Sequence, residues 1–356
     1  MGASSYSRLD RLTHRVAFSH RAVQDILAEI EATAFSKLWR DQPLERPIFI
    51  TSLPRAGTTL LLEVLARVTS VATHTYRDMP FVRAPILWSR LSRRFRTSRE
   101  ATERAHGDGM MISADSPEAF EETVWIANFA DHYRRHGIRL WHAPAPDFAS
   151  ELADHMRRIL VLRCGSISPG ARYLSKNNAN IARIGVLRSA FPDAHILVPL
   201  RDPLAQARSM QRQHLRFVER HAEDRFAERY MADIGHFEFG ALHRPILFEG
   251  VDELASRYGP DQLEYWIGYW IAAYRHLAEQ GGVTFLDHAR FCHDGRGNFL
   301  RLCEELGLAA DPVCVRKAEQ QIRQQRDPKP PAAGPEGLDE ARELFEALRA
   351  RSLFAA

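Results

Sequence analysis

Short apolar runs rich in β-branched residues alternate along this chain with longer segments whose apolar positions recur at helical spacing. The short runs predict buried strands and the longer segments predict amphipathic helices. The predicted strands cover residues 48–51, 71–76, 172–176, 195–200 and 282–287. With 356 residues, 45% of them hydrophobic, the chain can bury the core of one large α/β domain or of two small ones.

The two ends of the chain differ from this pattern. Residues 1–19 are predicted to be a loosely ordered leader, and a helix is predicted from His20 to Trp39 because its apolar residues form one stripe. Near the other end, residues 327–335 have the proline-rich composition of a linker. A last helix is predicted from Leu338 to about Leu353.

The stretch from Pro47 to Leu65 has the pattern of a strand, a turn and a helix. Pro54 and Gly57 interrupt the apolar run, and Thr58 opens a segment with helical spacing. Such a turn leaves backbone N–H groups unpaired at a helix N-terminus, where the helix dipole also favours an anion. Arg55 adds a positive charge, so the stretch predicts a phosphate-binding loop; an ordinary strand-to-helix turn with a surface arginine is the alternative.

This loop does not match the Walker A motif, which has glycine, four residues and then Gly-Lys-Ser/Thr. Ser52 stands in place of the first glycine, and Thr58 stands in place of the lysine. The loop therefore lacks the lysine that a Walker A loop places on the β- and γ-phosphates of ATP.

A second stretch, residues 191–209, predicts a turn, a buried strand and another helix. Asp202 suits the N-cap and Pro203 the first helical position. Arg201 lies at the end of the strand and Ser209 about two turns into the helix. A guanidinium and a hydroxyl so placed can converge on one phosphate.

The sequence Pro-Arg-Ala-Gly-Thr-Thr at 54–59 resembles the 5′-phosphosulfate loop of sulfotransferases that use 3′-phosphoadenosine 5′-phosphosulfate (PAPS), in the form typical of bacterial and tyrosylprotein enzymes. Arg-Asp-Pro at 201–203, with Ser209, resembles the 3′-phosphate pattern of the same family. The resemblance implies a three-layer, P-loop-like α/β fold with a central parallel sheet between helices. It covers residues 47–310, which leaves a helical leader at 1–46 and a linker and helix packed on the domain at 311–356.

The resemblance also implies roles for single residues. Arg55 would act on the transferring group and the 5′-phosphate, and Arg201 and Ser209 would bind the 3′-phosphate. Lys176, at the end of a predicted strand, would assist at the sulfuryl group, although Asn-Asn follows it here instead of the family's Asp-Pro or Thr-Pro. The remaining loop residues expected to contact the nucleotide are Ala56, Gly57, Thr58 and Thr59.

The catalytic base is the least determined part of the predicted site. Asp78 is the nearest carboxylate to the place of the family's glutamate, although a salt bridge or a turn cap also explains it. His74 is a rival, since histidine is the base in the cytosolic enzymes of the family, and a glutamate within 118–122 is another.

Charge and composition narrow the function further. The formal net charge of +3 is too small to indicate nucleic-acid binding by itself. The four cysteines lack metal-ligand spacing, so no metal is expected, and buried thiols in a reducing compartment explain them. The first 20 residues lack the apolar core of a signal peptide, and no run approaches a membrane span, so we expect a cytoplasmic protein.

The sequence predicts a sulfotransferase that moves a sulfuryl group from PAPS to a hydroxyl. It does not identify the acceptor, which can be a phenol, an alcohol, a sugar, a lipid or a peptide, and it leaves a homodimer open. The alternatives are a P-loop small-molecule kinase and a non-catalytic nucleotide-binding relative.

Overall fold

The computed structural model describes residues 8–92, 102–103, 111–112, 115–142, 146–322 and 334–355. Residues 1–7 of the predicted leader and residues 323–333, which hold most of the predicted linker, lie outside the described residues.

A parallel sheet with the strand order β2-β7-β1-β8-β9 forms the centre of the molecule. Two short antiparallel hairpins, β3-β4 and β5-β6, lie outside it. The strands are β1 (Ile48–Ile50), β2 (Val71–Ala72), β3 (Thr102–Glu103), β4 (Met111–Ile112), β5 (Tyr133–Arg134), β6 (Gly137–Ile138), β7 (Arg172–Lys176), β8 (His195–Leu200) and β9 (Val283–Asp287). The predicted α/β class and central parallel sheet are confirmed.

Helices cover both faces of the sheet. They are α1 (Arg8–Ala17), α2 (Arg21–Ala34), α3 (Ser36–Trp39), α4 (Thr58–Leu65), α5 (Pro85–Ser92), α6 (Glu122–Asn128), α7 (Pro146–Cys164), α8 (Ile184–Ala190), α9 (Pro203–Glu223), α10 (Arg225–Asp233), α11 (Val251–Arg257), α12 (Leu263–Glu279), α13 (His288–His293), α14 (Gly295–Leu306), α15 (Pro312–Gln321) and α16 (Leu338–Arg349). Short 3₁₀ helices cover Tyr76–Asp78, Ala130–His132, Asn178–Ala182 and Gly240–Leu242.

The two-residue period of the strands divides the core into two layers. Ile48 and Ile50 pack with α4, α13, α14 and α15 on one face of the sheet, whereas Phe49 points to the opposite face. That opposite face packs against α6 to α9, α12 and α16. Side chains of α16 reach the larger core, so the last helix is buried along one side. Its core residues are Leu338, Ala341, Phe345 and Leu348.

Two local predictions are wrong. The predicted strand at 71–76 ends after Ala72, because a capping box between Thr75 and Asp78 starts a 3₁₀ helix at Tyr76. The leader is also more ordered than predicted, since α1 packs on α10. His14 of α1 is buried there and bonds Asp233 through Nε2 and Oδ2, which are 3.0 Å apart.

Candidate functional site

The loop after β1 has the conformation that an anion-binding turn requires. Arg55 has a φ of 69° and Gly57 a φ of 103°, and α4 begins at Thr58. A non-glycine residue at positive φ is uncommon and costs free energy unless its surroundings hold it. The turn directs the backbone of residues 56–58 toward the open N-terminus of α4, where N–H groups lack partners within the helix.

The two predicted phosphate loops meet in space. Nε of Arg55 donates a hydrogen bond to Oγ of Ser209 at 3.1 Å, and Nη1 of Arg201 donates to the carbonyl oxygen of Arg55 at 3.0 Å. The loops meet because β1 and β8 are paired in parallel, so their carboxyl ends lie at the same edge of the sheet. The structure therefore brings Arg55, Arg201 and Ser209 together.

The helix after β8 begins as predicted. The side chain of Asp202 accepts a hydrogen bond from the backbone N–H of Ala205 at 2.8 Å, and Pro203 opens the helix. This cap fixes the direction of α9 and turns Ser209 inward, where it is buried against the loop.

Sequence reasoning missed Gln206, which hydrogen-bonds the backbone of the first loop. Its amide nitrogen donates to the carbonyl oxygens of Leu53 and Pro54 at 3.2 and 2.9 Å, and its oxygen accepts from Nε1 of Trp270 at 3.0 Å. Gln206 is fully buried. Its position three residues before Ser209, on the same helix face, is the signal that could have found it.

A second buried support lies at the end of β1. Oγ of Ser52 lies 2.7 Å from the hydroxyl of Tyr274, and it donates to the carbonyl oxygen of Pro199 at 3.0 Å. Burial raises the pKa of Tyr274 to about 12, so this phenol stays protonated and remains a donor. Ser52, which departs from the Walker A pattern, thus ties the end of β1 to the end of β8.

Lys176 lies at the carboxyl end of β7, beside β1, and faces a cavity. The cavity contacts the first loop through Leu53 and Pro54. Its other described lining residues are Ala119, Glu122, Ile138, Asn177, Asn178, Ala179, Gly235, His236, Phe237, Glu238, His243, Arg244, Ile246, Trp266 and Tyr269.

A second cavity opens at the carboxyl ends of β8 and β9. Arg201 and Asp202 form one side of it, and His288, at the start of α13, forms another. Phe345 and Arg349 of α16 also line it. Its described charged lining is mixed, with Arg201 and Arg349 beside Asp202, Asp287 and Glu346. Its place beyond the carboxyl ends of parallel strands is where open α/β sheets bind ligands.

A model described as the sulfotransferase family matches residues 47–244, which is more than half of the chain. The chain belongs to the sulfotransferase family. A comparison with curated proteins gives no match.

Several solved sulfotransferase structures are similar to this sulfotransferase over most of its length. STF9 from Mycobacterium avium is 14% identical, the match covers 97% of this chain and 86% of that one, and the TM-score is 0.52. STF1 from Mycobacterium tuberculosis is 15% identical, with 97% and 88% covered and a TM-score of 0.46. The sulfotransferase from Alicyclobacillus acidocaldarius is 16% identical, with 87% and 98% covered and a TM-score of 0.39. The likeness to STF9 supports the common fold.

In this sulfotransferase Asp78 lies in a buried ion-pair network. Nη2 of Arg163 lies 2.6 Å from Oδ1 of Asp78, and Oδ2 accepts from the backbone N–H of Thr75 at 3.0 Å and lies 3.1 Å from Nδ1 of His74. Burial alone would raise the pKa of Asp78, but the hydrogen bond with His74 and the charge of Arg163 outweigh it and lower the pKa to about 2. Asp78 is 2% exposed, and the described lining of the cavity beside Lys176 does not include it.

The other predicted candidates for the base are also engaged at both of their polar atoms. His74 contacts Asp78 through Nδ1 and His155 through Nε2 at 2.9 Å. The glutamates of residues 118–122 bond through both carboxylate oxygens. Their partners are Tyr76 and the N–H of Ala119 for Glu118, Trp125 and Tyr173 for Glu121, and Tyr133, Asn177 and Arg183 for Glu122.

Among the described residues, no group of three or more histidines, cysteines or acidic residues is placed to hold a metal ion. No helix in the described part of the chain is long and apolar enough to cross a membrane.

Proposed function

We propose that this sulfotransferase takes its sulfuryl group from PAPS and transfers it to a hydroxyl of an acceptor bound beside Lys176. The observation that carries the donor assignment is the 3.1 Å bond between Arg55 and Ser209. Two phosphate loops that are far apart in sequence supply this pair, and PAPS carries a phosphate at each end of its ribose. A nucleotide with a single phosphate group would need only one of the two loops.

The N–H groups of Ala56, Gly57 and Thr58, together with the side chain of Arg55, bind the 5′-phosphate in this proposal. A phosphate also accepts hydrogen bonds from hydroxyls, which Thr58 and Thr59 supply. The 3′-phosphate is bound by Arg201 and Ser209. Since a guanidinium forms two parallel bonds with a phosphate, Arg201 contributes both charge and direction.

Lys176 neutralises charge on the sulfuryl oxygens. Its place at the end of β7, between the first loop and the cavity, supports this role. PAPS supplies a sulfuryl group on a phosphate leaving group, and the transfer needs position and charge stabilisation more than covalent help from the protein. No metal ion takes part in the proposed scheme.

We do not assign the base to Asp78. A base must present a lone pair to the acceptor hydroxyl within hydrogen-bond distance. Both oxygens of Asp78 are already bonded, and the pKa of about 2 makes this carboxylate a weak proton acceptor. Asp78 instead caps the turn after β2 and holds Arg163.

We further propose that the enzyme works in the cytoplasm. No disulfide joins its four cysteines, all of which lie in the described part of the chain. Such thiols persist in a reducing compartment.

Isothermal titration with 3′-phosphoadenosine 5′-phosphate, compared with 5′-AMP, tests the donor. We expect the wild type to bind the bisphosphate more tightly, and Arg201→Ala to lose about 10- to 100-fold of that affinity, since a hydrogen bond to a charged group contributes about 1.5–3 kcal/mol. The affinity for 5′-AMP should change much less. Arg212→Ala, an exposed arginine on the same helix, is the matched control. Equal affinity of the wild type for the two nucleotides would exclude PAPS.

A further inference from the structure

The cavity beside Lys176 has a predominantly apolar and aromatic wall. The side chains that form it come from the first loop, from β6, from residues 237–246 and from α12; they include Leu53, Ile138, Phe237, Ile246, Trp266 and Tyr269. Walls of this kind bind the apolar body of a small ligand, and a few polar groups then fix its orientation.

The charges around the cavity do not favour a charged acceptor. Glu122 is neutralised by Arg183, with which it forms a buried ion pair. The remaining charged side chains that face the cavity are Lys176 and Arg244, which are positive, and Glu238, which is negative. Lys176 lies next to the first loop and is already assigned to the sulfuryl group. Among the described lining residues, one cation and one carboxylate then remain, so these residues offer no excess positive charge to a polyanionic glycan or an acidic peptide.

Glu238 is linked to the first loop through one amide side chain. Nδ2 of Asn178 donates to Oε1 of Glu238 at 3.0 Å, and Oδ1 of Asn178 lies 3.5 Å from Oγ1 of Thr58. The carboxylate therefore lies at the boundary between the phosphate-type loop and the apolar cavity.

The segment that carries Glu238 is fixed by its neighbours. Phe237 and Phe239 are buried, and the carbonyl oxygen of Glu238 accepts a hydrogen bond from Nδ1 of His243 at 2.7 Å. Nε2 of His243 lies 2.7 Å from the hydroxyl of Tyr265. Burial lowers the pKa of His243 to about 4, so the ring is neutral near pH 7 and does not compete as a charged group.

Glu238 also differs from the acidic residues considered above in its hydrogen bonding. Asp78, Glu118, Glu121 and Glu122 use both carboxylate oxygens. Glu238 uses Oε1, whereas Oε2 makes no hydrogen bond with any described residue, and the side chain faces the cavity. A lone pair oriented by a second residue is what a general base requires.

We propose that Glu238 is the catalytic base and that the cavity takes an uncharged, apolar hydroxyl compound, either a phenol or a hydrophobic alcohol. This inference rests on the proposed function. The acceptor O–H proton passes to Oε2 of Glu238 as the acceptor oxygen forms a bond to sulfur. The bond between sulfur and the bridging oxygen of the 5′-phosphate breaks, and its electron pair stays on that oxygen, which leaves 3′-phosphoadenosine 5′-phosphate.

The test uses three probe acceptors with PAPS as donor: naphthylmethanol, β-naphthol and p-nitrophenol. Their hydroxyls become more acidic in that order. Glu238→Gln keeps the oxygen that accepts from Asn178 but cannot take a proton. We expect its turnover to fall about 10²- to 10⁴-fold with the alcohol and with β-naphthol. With p-nitrophenol at alkaline pH, where the phenol is already ionised, the loss should be less than about tenfold.

Binding measurements separate this role from a structural one. Titration calorimetry of Glu238→Gln should give affinities for 3′-phosphoadenosine 5′-phosphate and for β-naphthol within about threefold of the wild-type values, since the substitution leaves shape and hydrogen bonding intact. Glu249→Gln, at an exposed position eleven residues later, is the matched control and should behave as the wild type does.

Three outcomes would overturn the inference. Equal losses of turnover with all three probes would mean that Glu238 is no base. If His236→Asn lost turnover in the acidity-dependent way while Glu238→Gln kept normal activity, the base would be His236 and not Glu238. A wild-type enzyme that binds 3′-phosphoadenosine 5′-phosphate but sulfates none of the probes would exclude the apolar acceptor class. Failure to bind that nucleotide would instead contradict the proposed function itself.

Discussion

Gly57 lies directly against the imidazole of His288, and a Cβ atom at position 57 would stand 2.6 Å from Nδ1 of that ring. The contact joins the first loop to the start of α13, which follows β9. Gly57 also has a φ of 103°, which an L-residue adopts only at a cost of about 1–2 kcal/mol. We therefore expect Gly57→Ala to lower the affinity for 3′-phosphoadenosine 5′-phosphate more than tenfold, as measured by titration calorimetry.

A matched variant separates the effect of backbone strain from the effect of the close contact between Gly57 and His288. Gly170 has a φ of 79°, and a Cβ atom there would meet nothing within 4 Å. Gly170→Ala should lower the thermal midpoint of unfolding without changing nucleotide affinity. If both alanine variants bind the nucleotide as the wild type does, the close approach of Gly57 has no role in binding.

The central sheet and the two phosphate-type loops could be predicted because their signals are local. Strands β1, β7, β8 and β9 are short apolar or β-rich runs with turn residues at their ends. Asp202 as the N-cap and Pro203 as the first helical residue mark the start of α9, and these two residues are adjacent in sequence. Once the strands are known to be parallel, the meeting of Arg55 with Arg201 and Ser209 follows from sheet geometry.

The acceptor side of the site could not be predicted in this way. Glu238 meets Asn178 across 60 positions of sequence, and no local pattern joins them. Asp78 looked suitable because it follows a strand, but its role depends on Arg163, which comes from a helix 85 positions later. Whether a carboxylate is a base or a buried ion-pair member depends on its tertiary partners.

The side chain of Arg55 is expected to contribute to turnover more than to the stability of the fold. Arg55→Ala should lower turnover about 10²- to 10³-fold, as the loss of a preorganised donor does in other enzymes. The loop should stay in place, because Arg201 binds the backbone oxygen of residue 55, which alanine retains. Steady-state kinetics, with circular dichroism as the check on folding, measure this. Arg55→Lys keeps the charge but loses the fork geometry, so its turnover should lie between that of the wild type and that of Arg55→Ala. Near-normal turnover in the alanine variant would contradict the assignment.

The buried ion pair between Arg183 and Glu122 is expected to stabilise the wall of the acceptor cavity. The guanidinium carbon of Arg183 lies 3.8 Å from the ring centroid of Trp125, and Nε donates to Oδ1 of Asn180 at 2.8 Å. Arg183→Met leaves Glu122 buried without its cation, so the free energy of unfolding should fall by about 3–5 kcal/mol in urea denaturation.

Two variants make this prediction specific. Arg183→Met combined with Glu122→Gln should recover part of the loss, because no charge is then left buried alone. Arg275→Met removes an ion pair with Glu340 in which the two side chains are 64% and 48% exposed. The resulting change in the free energy of unfolding should be too small to resolve. A loss in Arg275→Met as large as that in Arg183→Met would refute the role of burial.

Glu31 gives the folded protein a pH dependence that the sequence does not reveal. It is buried on α2, where Oε2 accepts from the backbone N–H of Leu87 at 2.6 Å, and burial raises its pKa to about 7. In the unfolded chain the carboxyl loses its proton near the ordinary value of 4.5. Since the folded state holds the proton over that interval, stability falls as pH rises from about 4.5 to 7.

The expected loss is about 1.4 kcal/mol for each pH unit, or about 3 kcal/mol over the whole interval. Glu31→Gln cannot ionise, so its free energy of unfolding should lack this part of the slope and exceed that of the wild type increasingly toward neutral pH. Glu29→Gln, at an exposed site on the same helix, should keep the wild-type slope. Urea denaturation of the three proteins across the interval measures the difference. Parallel profiles for the wild type and Glu31→Gln would mean that the carboxyl ionises in the folded protein as easily as in the unfolded chain, in spite of its burial.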